Sequence, residues 1–298
     1  MHMTSTLKDY ANQHHLNGIT PHTLEAISQH RSGYSIEKAK RFIKFHKRIK
    51  HEMLQHSVIK DNQFTHWFSK GEFTLEQLKY FIVQFSVFSN LFIVAQLQKT
   101  INADSLETMH ASKEILVNEL GVVFNKHNKK TDNQILSDEG TVEGGVFHFQ
   151  AAHFEWLYKL AENIGLDFND IGKRRHGSTE TLFYCDELLR LYANENYSIA
   201  QAASFAVENW AAAGFWGELI DGLSKYKTKH SADMPIFFFT YHDKIESQHA
   251  QHTLDELEDI YFSQDIDEDL FIKSGNEMLD GVEIFWTGLN QHRLSMHH

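Results

Sequence analysis

Residues 74–100 read TLEQLKYFIVQFSVFSNLFIVAQLQKT, with no glycine or proline among them. Thr74 and Gln77 stand three residues apart, the spacing of a capping box, in which each side chain serves the other's backbone N–H. Aromatic and aliphatic residues then follow to Thr100 without a turn signal. Strands rarely exceed about ten residues, so the stretch predicts one long helix. The same economy of breakers holds over the whole chain. There are two prolines, Pro21 and Pro235, and 16 glycines in 298 residues.

Outward from this helix, the first thirty or so residues form a short helical preface that ends near Arg31-Ser32-Gly33. Further helices are expected over 35–59, with Ser35 as N-cap, and over 104–124. Another runs over 146–164, with Gly165 as C-cap. The rest cover 178–193, 198–223, 235–262 with Pro235 in the first turn, and 266–293. Residues 125–145 are polar, include Asn125-Lys126-His127-Asn128-Lys129-Lys130 and end in Gly144-Gly145. They read as a long surface loop or insertion. The expected fold class is all-α, a multi-helix bundle. It forms one helical domain over 1–298, with 1–34 as an N-terminal extension.

The formal net charge is −12, which argues against non-specific nucleic-acid binding. Cys185 is the one cysteine, so no internal disulfide forms, and a reducing, cytoplasmic setting is expected. No run of 18 consecutive apolar residues and no signal-peptide pattern is read. Histidine is frequent, at 21 residues. His14-His15 and His297-His298 lie at polar ends and read as solvated.

The informative residues are ionisable groups inside apolar stripes, because burying a charge is costly unless it is paired or bound to metal. Glu119 lies among Ile115, Leu116, Val122 and Val123. His153 lies among Phe149, Trp156, Leu157 and Leu160. Glu208 has Ala211, Ala212 and Phe215 beyond it, with Ser204 before it as a hydrogen-bonding neighbour. His242, Glu246 and His249 stand at i, i+4 and i+7 on one helix face; His252 swings off that face to a supporting or surface position. Taken singly, each also fits a hydrogen-bonded core residue. Together they offer three carboxylates and three imidazoles, donors that suit iron, manganese or zinc. A ferritin-like variant would pair Glu246-x-x-His249 with Glu107-x-x-His110, but Glu107 shares a solvated face and His242 would go unused.

Three segments carry a resemblance. Asn118-Glu119-Leu120-Gly121, His153-Phe154-Glu155-Trp156-Leu157 with Ile164-Gly165-Leu166, and His242–His249 resemble the ligand helices of the haem-oxygenase-like di-iron oxidases. That family belongs to the superfamily of thiaminase II (TenA), pyrroloquinoline quinone synthase (PqqC) and the Chlamydia protein associating with death domains. The similarity spans 75–289. It implies a haem-oxygenase-like bundle and a metal set of Glu119, His153, Glu208, His242, Glu246 and His249. Two departures stand out: 33 residues (120–152) separate Glu119 from His153, where the family has few, and Glu246 replaces the commoner aspartate. His148 and His127 remain alternative first histidines.

The resemblance further implies two iron ions cycling between Fe2+ and Fe3+, with manganese or zinc able to stand in on purification. The partners are O2 and a small organic substrate of amino-acid, amine or fatty-acid type, with no nucleic acid or membrane and a homodimer allowed. Phe238, Trp210 and Phe215 are the candidate pocket lining. Two other readings stay open: a metal-free enzyme, either a TenA-type hydrolase with Cys185 as the one candidate nucleophile or a cofactor-free PqqC-type oxidase, and a non-catalytic interaction or effector protein on the same fold.

Overall fold

The computed structural model describes residues 5–124, 145–147 and 152–296. Side chains are described for all of these except Ser5, Glu107, Val123, Phe124, 145–147 and 245–252. The predicted loop over 125–144, and with it His127, lies outside the described residues, as does His148.

The chain is a helical bundle. In order run α1 (Ser5–His14), α2 (Pro21–Ser28), α3 (Ile36–Glu52), α4 (Ser57–Lys60), α5 (Gln63–Phe68), α6 (Leu75–Ile101) and α7 (Leu106–Glu119). After two short strands come α8 (His153–Asn163), α9 (Thr179–Tyr192), α10 (Tyr197–Ala211), α11 (Phe215–His230), α12 (Phe237–Ser263) and α13 (Glu268–Ser295). The capping box of Thr74 and Gln77 is formed in full; Ser35 caps α3 as expected, and Ser178 caps α9.

Five expected elements differ from those observed. The helix expected over 35–59 ends at Glu52 with Met53 as its C-cap, and Ser57–Lys60 forms the separate α4. The helix expected over 198–223 is broken at Gly214, whose φ of +95° is a left-handed conformation that ends α10 and starts α11. The helix expected from 235 begins at Phe237, so Pro235 lies before its first turn. The helix expected over 104–124 stops at Glu119, and Val122–Phe124 continues as β1. The helix expected from 146 is instead Gly145–Phe147 as β2, with α8 starting at His153. Gly121, at φ +98°, makes the turn out of α7.

The two strands pair antiparallel, Val122 opposite Phe147 and Phe124 opposite Gly145. This ribbon returns the chain to the end of α7, so the long spacing between Glu119 and His153 in sequence closes up in space.

Around the centre, α13 packs on α9 and α10, and α6 packs on α7, α8 and α9. Phe85 is a hub whose ring meets Phe238, Trp216 and Trp286 at centroid distances of 5.9, 5.8 and 6.4 Å. Each such ring contributes about 2–3 kcal/mol by leaving water. Among the described residues, α6 is the one helix apolar and long enough to cross a bilayer; here it joins α7 and α8 to the centre of the bundle. Its last two turns are inverted. Val94, Leu97 and Ile101 are exposed, at 49%, 47% and 60%, while Gln96, Lys99 and Thr100 are buried.

Candidate metal centre

Glu119 is the last residue of α7 and His153 the first of α8, so the β1–β2 ribbon sets their separation. His153 Nδ1 lies 2.9 Å from Glu119 Oε2. Neither ring nitrogen of His153 makes an aligned hydrogen bond, although the residue is 1% exposed. Proximity without alignment is what two donors facing a common point produce. A carboxylate at a helix C-terminus also meets the negative end of the helix dipole, which a nearby cation offsets.

His242 enters from α12. Its Nδ1 is 2.7 Å from the carbonyl oxygen of Phe238. A carbonyl only accepts, so Nδ1 carries the proton and the ring's lone pair is on Nε2. This arrangement orients metal-binding imidazoles generally. The His153 and His242 rings meet edge to face at 4.8 Å, and each stacks on an indole: His153 on Trp156 at 5.0 Å and His242 on Trp216 at 4.9 Å. Tyr241 OH donates to Asn118 Oδ1 at 3.4 Å, tying α12 to the turn that carries Glu119.

The donor atoms of Glu119, His153 and His242 all lie within 4.8 Å of one another. Donors bonded to one metal at roughly 2.0–2.2 Å stand about 3–4 Å apart, so a small inward closing suffices. The unpartnered Nε2 of His153, the tautomer of His242 and the mixed nitrogen–oxygen donor set all fit a transition metal. Glu208, on α10 and 5% exposed, lines one cavity with Glu119 and His242. Glu246 and His249 lie one and two turns beyond His242 on α12; their side chains fall outside the described residues.

That cavity holds about 60 Å3 and is walled by Phe85, Phe88, Phe92 and Trp216. Of the expected lining, Phe238 and Trp210 face it. Phe215 does not: it stacks behind Trp210 at 4.7 Å. Ser204, expected beside Glu208, accepts instead from Lys99 Nζ at 2.7 Å. His110 of the ferritin-like variant is exposed to solvent. Cys185 is 4% exposed, and burial, with the Asp186 charge, pushes its thiol up to about 12. Such a thiol forms little nucleophilic thiolate near neutral pH.

Sequence reasoning overlooked the indoles behind the histidines, Lys99, and a second trio, His56, Asp280 and Glu283, at the surface. Trp156 was legible three residues after His153; the others come from distant segments.

No protein-family model and no curated protein matches the sequence. Solved structures do. A CADD-like protein of unknown function from Nostoc punctiforme superposes with a TM-score of 0.55 at 15% identity, covering 87% of this chain and 99% of that one. A second crystal structure of that protein gives 0.54 at 16%, covering 89% and 99%. A TenA homolog from Pseudomonas syringae pv. tomato gives 0.51 at 10%, covering 85% and 93%. At these identities the likeness is one of fold: the chain has the TenA-like all-α bundle.

Proposed function

We propose that the protein is a non-haem di-iron oxidase or oxygenase, with Glu119, His153, Glu208, His242, Glu246 and His249 as ligands. The observation that carries this reading is the trio of Glu119, His153 and His242. Three helices bring it together beside an aromatic-walled cavity, with His153 Nε2 buried without a hydrogen-bond partner and His242 held in the metal-binding tautomer. Bound ferrous ions would supply the electrons and the Lewis acidity for oxygen activation.

The chain's own residues do the rest. The Phe238 carbonyl fixes the His242 ring. Trp156 and Trp216 hold the two imidazole planes by stacking. Phe85, Phe88 and Phe92 keep bulk water from the cavity and offer an apolar surface to a small organic substrate. The buried, high-pKa thiol of Cys185 weighs against the thiol-nucleophile alternative.

Anaerobic reconstitution with ferrous iron, followed by metal analysis, tests the reading. The expected result is about two irons per chain, with a change in visible absorbance on admitting oxygen. Protein that retains no iron after desalting would overturn it.

A further inference from the structure

A second hollow, of about 170 Å3, lies between the α4–α5 junction and one face of α13. Two adjacent caps build the junction side: Asp61 ends α4 and Asn62 starts α5. On α13, Glu283, Trp286 and Asn290 recur at three and four residues and so face the hollow together. Trp286 also marks it off from the metal cavity: its ring lies 6.3 Å from that of Trp210, which lines that cavity.

Three kinds of surface meet in this hollow. Asp61 and Glu283 supply carboxylates, and among the described residues no cationic side chain lines it. Asp61 is exposed, with His66 Nε2 3.4 Å away, and Glu283 accepts from Ser57 Oγ. A carboxylate offers about four lone-pair sites, so each can take a further donor. Phe64 and Trp286 supply rings, 5.6 Å apart at their centroids. The third kind is a pair of N–H donors. Asn62 is 9% exposed; its Oδ1 caps α5 by accepting from Thr65 N at 3.2 Å, while its Nδ2 has no hydrogen-bond partner. Trp286 is 3% exposed, and its Nε1 has none either. A buried donor left unmade costs about 1–3 kcal/mol, and native proteins leave few of them. The hollow therefore asks for a cation, for carbon and for a neutral oxygen acceptor.

We propose that this hollow binds a small organic ammonium that also carries a neutral oxygen, an amino alcohol being the simplest member of the class. The ammonium donates to Asp61 and Glu283, and the Trp286 face adds its attraction for a cation. The alkyl stem lies on Phe64 and Trp286. The hydroxyl oxygen accepts from Asn62 Nδ2 and Trp286 Nε1. An amino acid is refused, because its carboxylate would enter beside two like charges. A plain alkylamine leaves both donors unmade. The site uses no metal and stands apart from the oxidase reading.

The test is calorimetry on the metal-free full chain with aminobutanol, butylamine, butanediol and aminobutyrate. Aminobutanol should bind once per chain with a Kd of about 1 mM or below, and butylamine about tenfold more weakly. Butanediol and aminobutyrate should give no saturable heat. Glu283→Gln should weaken aminobutanol by about tenfold, and the more exposed Asp61→Asn by less. Trp286→Phe keeps a ring and removes the N–H, so it should narrow the gap between aminobutanol and butylamine. No saturable heat with aminobutanol would overturn the site. So would an affinity unchanged in both Glu283→Gln and Asp61→Asn, which places the ligand elsewhere, or a gap left whole in Trp286→Phe.

Discussion

Among the described residues, histidine and carboxylate side chains form two trios, one in the core and one at the surface, and in both the donor atoms fall within 4.8 Å. What separates them is the hydrogen bond on the far side of the ring. His242 gives its Nδ1 proton to the Phe238 carbonyl, leaving the lone pair on the cavity side. His56 does the reverse: its Nδ1 accepts from Val58 N at 3.3 Å, so Nε2 holds the proton and gives it to Asp280 at 3.1 Å. Ser57 donates to Glu283, the third member. The surface trio is thus satisfied within itself. It even borders the roomier hollow, about 170 Å3, through Glu283. Neither clustering nor space tells the two trios apart; the tautomer in which each histidine is held does.

The largest effect expected from this contrast is on metal uptake. His242→Ala should weaken cobalt binding by roughly a hundredfold or more, while His56→Ala leaves it unchanged, read by equilibrium titration. Equal losses in the two variants would erase the distinction. Next comes stability under metal. Cobalt at about a hundred times its Kd should stabilise wild type by about 2.7 kcal/mol and His242→Ala by far less, as seen in thermal melts. Smallest is the difference in the metal-free protein. His153→Leu takes from the Glu119 carboxylate the imidazole that lies 2.9 Å away and should cost about 1–2 kcal/mol. His56→Ala, at a more exposed pair, should cost about 0.5–1 kcal/mol. Urea melts that rank them the other way would show that Glu119 and His153 do not stabilise each other without metal.

Much of the fold was legible because its cues are local. The capping box at Thr74, the cap at Ser35 and the scarcity of breakers depend on neighbours in sequence. So did the candidate ligands, since an ionisable residue in an apolar stripe marks itself. Gly214 was harder to read: within a glycine-tolerant pattern, its backbone conformation decides whether the helix breaks. The β1–β2 ribbon was hidden because Val122–Phe124 continues the apolar pattern of α7. Lys99 was hidden by a sound rule that fails here, that lysines on an amphipathic helix face water. Apolar periodicity specifies a stripe but not which of two neighbouring stripes turns inward. On the last turns of α6 the polar one does, because α7 and α10 meet it with Ser112 and Ser204.

That inverted end of α6 has a thermal consequence. Its native contacts are Gln96 and Thr100 to Ser112, Lys99 to Ser204, and Asn102 to the Ala193 carbonyl at 2.7 Å. The heat capacity of unfolding comes mainly from apolar surface newly wetted, and wetting polar groups lowers it. Here Val94, Leu97 and Ile101 are already wet in the native state, and opening the corner adds amide, hydroxyl and ammonium. Its local opening should therefore carry a small heat-capacity change. On cooling, when the ring-filled centre loses part of its hydrophobic drive, this corner keeps its hold.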